Sequence, residues 1–449
     1  MKLKNFLCYI AALTIFHTAN AQVAVSPAIE SIKIGDYVGK RIDDCISQRV
    51  KAQDWEHLVE PFRNRTETWA WQSEFWGKWV QGAIASYRYN RDPELYEIIR
   101  QSAEAMMATQ TPDGYIGNYR DDSHLKQWDV WGRKYTMLGL VAWYDLSGDK
   151  KALKSACGVL DHLMSEVGEG KTDIISTGNY HGMASCSVLE PVVYIYNRTK
   201  EERYLAFAKY IARRLTDKDG PELVRKALEG VNVANRFPHP KEWWSQENGQ
   251  KAYEMMSFYE GLVAYYEITK EEKYLEVVKK FIEKVYQSDI TIIGCSGCTH
   301  ELFDHSAVKQ TEPADNIMQE TCVTVTWIRL LARVYMITGD MNYIDRIEQS
   351  GYNALYGSLN TKKCEHLNLF TKEYFPAKTF DSYSPLYMNS RGRGIGGCIP
   401  LANGDYGGCC VAIGACGVSW MPLTAVMADE AYVYINQQFN GESTVKDAN

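Results

Sequence analysis

The stretch NRDPELYEIIRQSAEAMM, residues 90–107, contains the unit from which the fold is predicted. Asp92 followed by Pro93 is a helix start, because the Asp side chain accepts a hydrogen bond from the first turn and proline has no N–H to leave unpaired there. The apolar residues behind that start share one helical face: Leu95, Ile98, Ile99, Met106 and Met107. The stretch therefore predicts a turn followed by an amphipathic helix.

The same turn and helix recur along the chain at intervals of roughly 50 to 70 residues. The later turns lie at 147–150, 198–201, 269–272 and 338–340. The helix before each of them is mostly apolar, which predicts burial on most sides: 137–146, 188–196, 258–268 and 323–337. Because buried helices alternate with half-exposed ones, we predict an inner and an outer ring, that is, an all-α (α/α)₆ barrel with its pocket at one end of the inner ring. The alternative is an open helical solenoid.

The first 21 residues carry the features of an export signal. Lys2 and Lys4 precede a short apolar run, and Ala19-Asn20-Ala21 forms an A-x-A cleavage site. We therefore predict a signal peptide over residues 1–21 and a mature chain that is periplasmic or secreted.

The remaining chain divides into a long helical part and a short C-terminal part. The barrel domain is predicted over 22–430. Residues 431–439 alternate in the manner of a strand, so 431–449 is predicted as the start of a truncated β-strand region. Because a lone strand cannot bury its face, it either joins a small sheet formed elsewhere or belongs to a β domain lost downstream.

The composition argues against two classes of partner. The chain has 49 Lys+Arg against 56 Asp+Glu, a net charge of −7 and no basic block, so nucleic-acid binding is not expected. After the leader no apolar run reaches the ~18 residues of a membrane span. The 30 Tyr and 12 Trp suit an oligosaccharide or polysaccharide partner, although such residues are also ordinary core residues.

Two short pairs of metal-ligand residues stand far apart in the sequence. Glu320 and Cys322 form the first pair, and Cys409-Cys410 form the second, directly after two glycines. Three sulfur ligands and one oxygen ligand suit a tetrahedral Zn²⁺ site. Adjacent cysteines rarely bridge each other, and a chain of this size does not need disulfides. The alternative is a group of buried free cysteines beside a carboxylate with other partners.

The Cys295-Ser-Gly-Cys298 segment offers a different chemistry. A CxxC pair is redox-active in thioredoxin-like folds or supplies metal ligands. No βαβ pattern surrounds this pair, so we interpret it as a local disulfide or two plain thiols.

The metal motif resembles glycoside hydrolase family 127 and its relatives such as family 146, the β-L-arabinofuranosidase group. The similar segments are Glu-Thr-Cys at 320–322, Gly-Gly-Cys-Cys at 407–410, Glu-x-Phe at 301–303, and the stretches 75–79, 111–116 and 252–256. The resemblance covers roughly residues 50 to 430. It implies an (α/α)₆ barrel followed by β-sandwich domains, with zinc held by Glu320, Cys322, Cys409 and Cys410.

The resemblance also implies the catalytic residues. Cys409 is the expected nucleophile and Glu301 the expected general acid/base, with Glu312 as a second candidate for that role. Zinc coordination deprotonates a thiol, and the thiolate attacks the anomeric carbon in a retaining double displacement. The predicted activity is therefore that of a retaining β-L-arabinofuranosidase-like hydrolase, which removes a furanose sugar from pectic or arabinan-type plant cell-wall glycans.

The sequence departs from that family at the substrate-binding positions. Arg133 and Lys251 stand where the relatives place His residues, and His181 is a third such position. Cations there favour an acidic sugar such as aceric acid, or arabinofuranose beside uronates, whereas the alternative is that both residues form structural ion pairs. A catalytically inactive, zinc-stabilised glycan-binding barrel is a further alternative. The aromatic residues expected to contact sugar are Tyr253, Trp71 and Trp131.

Overall fold

The structure, a computed structural model, describes most of the chain. The described residues are 29–239, 241–242, 247, 249–297, 301–311, 320–358, 365–367, 374–376, 399–400, 406–407, 409–429 and 432–445. The predicted signal peptide, Cys298 and Glu312 lie outside them.

The described chain is mainly helical, with a few short strands. The α-helices are, in chain order, α1 Asp36–Cys45, α2 Trp55–Asn64, α3 Phe75–Asn90, α4 Pro93–Met107, α5 Asp129–Ser147, α6 Lys150–Glu166, α7 Met183–Cys186, α8 Leu189–Thr199, α9 Glu202–Arg214, α10 Leu223–Leu228, α11 Ala252–Thr269, α12 Glu272–Ser288, α13 Ser306–Lys309, α14 Thr321–Thr338, α15 Asn342–Gln349 and α16 Cys409–Ala425. The strands are β1 Ile29–Ile34, β2 Glu365–Leu367, β3 Tyr374–Pro376, β4 Ile399–Pro400, β5 Tyr406–Gly407, β6 Val426–Ala428, β7 Val433–Ile435 and β8 Gly441–Val445.

Six helices form a closed inner ring. In the order α3, α5, α8, α11, α14 and α16 each packs against the next, and α16 returns to pack against α3. Gly82 permits this closing contact, because a Cβ built on it would lie 2.8 Å from the backbone nitrogen of Cys416. The ring is therefore a barrel, as predicted, and not an open solenoid.

The outer helices follow the predicted pattern. In α4 the predicted apolar face is turned inward, with Leu95, Ile99 and Met106 completely buried. Asp92 caps this helix by accepting a hydrogen bond from the amide of Glu94. The five predicted turns are confirmed, because each inner helix ends there on a residue in the left-handed region: Arg91, Gly148, Lys200, Lys270 and Gly339.

The C-terminal strands pair with partners inside the described chain. β7 pairs antiparallel with β6, and β8 pairs antiparallel with β1 near the start of the described residues. The strand predicted over 431–439 is therefore shorter, at Val433–Ile435. The predicted β-strand region over 431–449 stays a prediction.

One end of the ring gathers the N-terminal ends of the inner helices. Glu320 immediately precedes α14, Lys251 immediately precedes α11, and Cys409 is the first residue of α16. Residues distant in sequence are thereby brought together. In the described part of the chain, no helix combines the length and apolar character that a membrane crossing requires.

Candidate active site

The four predicted metal ligands come together at this end of the barrel. The ligand atoms of Glu320, Cys322, Cys409 and Cys410 all lie within 4.8 Å of one another, and all four residues are buried. The Sγ atoms of Cys322 and Cys410 are 3.4 Å apart, and those of Cys409 and Cys410 are 3.9 Å apart. Thiolates on one tetrahedral ion at the usual Zn–S distance of ~2.3 Å lie roughly 3.8 Å apart. The donor set and its spacing therefore fit a tetrahedral metal ion.

The electrostatics of the cluster favour a cation. Burial raises the pKa of Glu320, and the nearby carboxylate of Glu301 adds to the effect. Among the thiols, Cys409 has its pKa lowered, because Cys322 and Cys410 hydrogen-bond to its sulfur. The acidic groups thus crowd a site from which water is largely excluded, and a bound divalent ion would balance their charge.

Lys78 supplies positive charge beside the cluster, and sequence reasoning did not identify it. Its Nζ lies 3.9 Å from Sγ of Cys322 and 2.8 Å from Oε1 of Glu74. Glu74 also accepts a hydrogen bond from Nε1 of Trp131, and the ammonium group lies 4.2 Å from the centre of the Tyr253 ring. A charged pair four residues apart in a segment that is otherwise apolar was the available signal.

The predicted acid/base residue lies next to Lys251. Residues 301–303 pair with 250–252, through hydrogen bonds from the amide of Ala252 to the Glu301 carbonyl and from the amide of Phe303 to the Gln250 carbonyl. This pairing places Nζ of Lys251 2.8 Å from Oε2 of Glu301. Glu301 has a positive φ of 66°, an uncommon conformation for a residue with a side chain.

A further carboxyl group, Glu254, lies one turn into α11 and was also missed. Burial raises its pKa to about 7, although the charge of Lys251 acts in the opposite direction. It is close enough to Glu320 to contribute to the raised pKa of that residue. The site therefore contains three carboxyl groups on the side of Lys251: Glu254, Glu301 and Glu320.

The predicted aromatic residues occupy different depths. Trp131 and Tyr253 are buried, their rings 5.3 Å apart, and the Tyr253 hydroxyl is hydrogen-bonded to that of Tyr135. Trp71 is half-buried, and its carbonyl accepts from the amide of Glu74. His181 is exposed and stacks on Phe237 with 5.5 Å between ring centres. These side chains thus range from buried to exposed.

Arg133 takes part in an ion-pair network inside the protein. It is completely buried, and its guanidinium donates to Asp129 at 2.6 Å and to Glu166 at 2.5 Å. Its charge is thus already balanced inside the protein. Arg133 therefore forms ion pairs of the kind that the structural alternative predicts, and its role toward a substrate stays a prediction.

A second group of metal-ligand atoms surrounds that arginine. His124, His162 and Glu166 have ligand atoms within 4.8 Å of one another. The Arg133 guanidinium lies 3.2 Å from Nδ1 of His162 and also donates to Glu166. Since a cation already occupies this position, the group forms an ion-pair network and not a second metal site.

Comparison with known proteins is consistent with this geometry. The sequence matches the family model described as the β-L-arabinofuranosidase GH127 catalytic domain over residues 38–370, whereas no curated protein sequence matches the chain. Among solved structures, Ara127N-Se, a GH127 β-L-arabinofuranosidase from Geobacillus stearothermophilus T6, has a TM-score of 0.63 and 16% identity, over 92% of this chain and 68% of its own. The GH127 β-arabinofuranosidase BT3674 has a TM-score of 0.62 and 17% identity, over 93% and 66%.

The fold by itself does not distinguish activities. A sugar epimerase from a ruminal bacterium has a TM-score of 0.52 and 10% identity over 86% of this chain and 98% of its own. The chain spans about two thirds of the length of the two GH127 structures. The family match, however, covers most of the chain. The chain therefore belongs to the GH127 β-L-arabinofuranosidase catalytic-domain family, and with it to the glycoside hydrolases.

Proposed function

We propose that the protein is a zinc-dependent, retaining β-L-arabinofuranosidase that acts on plant cell-wall glycans and uses Cys409 as its nucleophile. The observation that carries this proposal is the convergence of Glu320, Cys322, Cys409 and Cys410 at one end of a GH127 barrel. Three sulfur donors make zinc the expected metal, since oxygen-seeking ions such as Mg²⁺ and Ca²⁺ avoid thiolates. When bound, zinc would keep the Cys409 sulfur deprotonated at neutral pH.

The reaction needs two groups of the chain itself. The Cys409 thiolate attacks the anomeric carbon and the carbon–oxygen bond to the leaving group breaks, while Glu301 gives its proton to the departing oxygen. Glu301 then takes a proton from water, and that water displaces the sulfur, so the sugar leaves with its original configuration. Lys251, whose Nζ lies 2.8 Å from Oε2 of Glu301, holds that carboxyl group in position.

The charges of the site favour a neutral furanose over an acidic sugar. Arg133 is committed to Asp129 and Glu166, and Lys251 is committed to Glu301. Neither cation is therefore available to a substrate carboxylate without breaking an ion pair. An exported location, periplasmic or secreted, remains a prediction from residues 1–21.

The test compares two cysteines of α16. Cys409→Ala removes the proposed nucleophile and one ligand, whereas Cys416→Ala changes a buried cysteine on the same helix outside the cluster. We expect wild type and Cys416→Ala to hold about one zinc ion per chain and to cleave p-nitrophenyl β-L-arabinofuranoside with retention. Cys409→Ala should lose turnover and bind zinc more weakly. Elemental analysis and NMR of the first-formed anomer give the two readouts.

Other outcomes separate the alternatives. Zinc with sugar binding but without turnover would indicate a catalytically inactive glycan-binding barrel. Turnover only of substrates that carry a carboxylate would support the alternative of an acidic-sugar hydrolase. Absence of zinc, together with ready alkylation of Cys409 in the folded protein, would refute the proposed mechanism.

A further inference from the structure

Trp69 is an exposed tryptophan at the end of the barrel that contains the candidate site. It is 59% exposed, whereas every other tryptophan in the described part of the chain is buried or partly buried. Residues 67–74 lead into the N-terminal end of α3, in the same way as Glu320 leads into α14 and Cys409 begins α16. Trp69 therefore stands at the same end of the barrel as the ligand cluster.

A series of direct contacts joins Trp69 to that cluster. The rings of Trp69 and Trp71 pack edge to face with 6.1 Å between centres, and the carbonyl of Trp71 accepts a hydrogen bond from the amide of Glu74 at 3.1 Å. Glu74 lies 2.8 Å from Nζ of Lys78, which in turn lies 3.9 Å from Sγ of Cys322. Trp69 and Glu74 are five residues apart in the sequence, so at most ~18 Å separates their Cα atoms. A glycan of a few sugar residues that begins at the cluster can therefore reach the Trp69 ring.

The backbone around Trp69 is held in place without help from the indole. Oε1 of Glu67 accepts hydrogen bonds from the amides of the next three residues, at 2.8, 2.9 and 3.0 Å. The backbone of Glu67 pairs with residues 118–120, and the carbonyl of Ala70 accepts from the hydroxyl of Tyr119 at 2.8 Å. The main chain is thus ordered before any ligand arrives, which lowers the entropy cost of binding at this loop.

The exposed indole has the chemistry of a surface on which sugars stack. Tryptophan combines a large, flat apolar face with an N–H donor, and a sugar ring likewise combines a face of C–H groups with a rim of hydroxyls. Apolar surface left in water contributes nothing to folding, whereas its burial under a ligand is favourable. Because the chain belongs to the glycoside hydrolases, a glycan is the occupant expected at this end of the barrel.

We propose that Trp69, supported by Trp71, stacks against a sugar of the substrate chain that lies beyond the furanose to be cleaved. This inference rests on the proposed function, because an enzyme that removes a terminal furanose has all further sugars on the leaving-group side of the scissile bond. Trp69 therefore gives the enzyme its preference for oligosaccharides over short glycosides. It takes no part in the cleavage of the bond itself.

The experiment compares two substrates of different length. Methyl β-L-arabinofuranoside has a leaving group too small to reach Trp69, whereas an arabinan-type tetrasaccharide with a terminal β-L-arabinofuranose has one that is long enough. Trp69→Ala removes the ring, and Trp69→Phe keeps an aromatic face. Tyr432→Ala is the matched control, because Tyr432 is 65% exposed and lies beyond the C-terminal end of α16. The 17 residues of that helix place its C-terminal end ~25 Å from Cys409.

We expect Trp69→Ala to lower kcat/KM for the tetrasaccharide by about 5- to 10-fold, the effect of truncating an aromatic residue that contacts a ligand. The value for the methyl glycoside should stay unchanged. Trp69→Phe should keep most of the preference for the tetrasaccharide, and Tyr432→Ala should behave as wild type. A role of the indole in folding alone would lower both values alike. Equal effects on the two substrates, or no effect on either, would overturn the proposal.

A chemical readout separates this inference from the proposed function. N-bromosuccinimide oxidises exposed indole rings, and mass spectrometry of peptides locates the oxidised residue. We expect the tetrasaccharide to slow the oxidation of Trp69 severalfold in Cys409→Ala, where no turnover removes the ligand. Such protection would support the stacking surface even if wild type failed to cleave the tetrasaccharide, an outcome that would count against the proposed function alone. Oxidation of Trp69 at the same rate with and without the tetrasaccharide would refute the surface.

Discussion

Nζ of Lys78 lies 3.9 Å from Sγ of Cys322, and both side chains are completely buried. Glu74 fixes the ammonium group from the other side at 2.8 Å. Burial raises the pKa of Glu320, Cys322 and Cys410, so these groups hold their protons in the absence of a metal ion. A divalent ion would displace the protons and leave three thiolates and one carboxylate around two positive charges, so the site becomes more negative and attracts a neighbouring lysine more strongly. Lys78 is therefore expected to support metal binding without being a ligand.

Replacement of Lys78 should weaken zinc binding. We expect Lys78→Met to lower zinc affinity by ~10- to 100-fold, the usual effect of losing a group that supports the ligands. Lys134→Met is the control, because Lys134 is equally buried but faces Glu190 at 3.8 Å. Competition with a chromophoric chelator measures the affinity. Equal affinities in the two variants would contradict a specific role for Lys78.

A double variant separates that effect from simple destabilisation. Lys78→Met leaves Glu74 buried without its partner, which is expected to cost ~3–5 kcal/mol of unfolding free energy. Lys78→Met/Glu74→Gln removes both charges and should recover most of this stability. Its zinc affinity should stay low. Recovery of affinity together with stability would mean that Lys78 acts only on folding.

The candidate ligand cluster could be predicted from sequence, whereas the charges that support it could not. Residue type and spacing alone indicate metal binding by four residues, without knowledge of their surroundings: Glu320, Cys322, Cys409 and Cys410. Lys78 and Glu74 are ordinary residue types, and only the packing of α3 against α16, with the contact of Lys78 to Cys322 at the start of α14, gives them a role. The sequence also does not reveal that Asp129 and Glu166 enclose Arg133.

The barrel was predictable for a different reason. Turns such as 147–150 and the helices around them are local features, in which capping and periodicity agree with the final fold. The pairing of β8 with β1 joins residues from opposite ends of the described chain, and no local pattern encodes it.

The effect of removing the proposed general acid, Glu301, should depend on the leaving group of the substrate. Glu301→Gln cannot protonate the departing oxygen, so cleavage of a sugar leaving group should fall by ~10²- to 10⁴-fold. An aryl group such as 2,4-dinitrophenolate leaves without protonation and should be cleaved with a much smaller loss in the first step. Burst kinetics with the two leaving groups provide the measurement.

The zinc content of Glu301→Gln serves as its control. Glu301 is outside the ligand cluster, so the metal should remain at the wild-type level. Equal losses for both leaving groups would argue against proton donation by Glu301. They would direct attention to Glu254, whose pKa is raised by burial to about 7.

Acid should destabilise the protein partly through Glu166. Burial opposes its charged form, but hydrogen bonds from His124 and His162 and the charge of Arg133 hold its pKa below the ordinary value. A depressed folded-state pKa adds stability that is present above the unfolded pKa of ~4.3 and is lost as the pH falls. We therefore expect the free energy of unfolding to decrease between about pH 5 and 3.

A variant isolates that contribution. Urea titrations across this range measure the free energy of unfolding. At pH 7 this free energy should be lower in Glu166→Gln than in wild type. Its decrease with falling pH should be less steep than in wild type, by up to ~1.4 kcal/mol per pH unit. Glu229→Gln, in an exposed pair with Arg225, should follow the wild-type curve. If the free energy of unfolding of Glu166→Gln depends on pH as steeply as that of wild type, the acid sensitivity arises from other groups.

Ring closure should be sensitive to one added methyl group. A Cβ on Gly82 would meet the backbone of α16 at Cys416, whereas a Cβ on Gly158 of α6 would meet the flexible end of the Gln110 side chain at 2.6 Å. Since backbone cannot move aside as a side chain does, we expect Gly82→Ala to lower the free energy of unfolding by ~1–3 kcal/mol. Gly158→Ala should stay within about 1 kcal/mol of wild type, because alanine also favours helix. Since α16 begins with Cys409 and Cys410, Gly82→Ala should weaken zinc binding as well. Urea titration measures the change in stability, and competition with a chelator measures the change in zinc affinity.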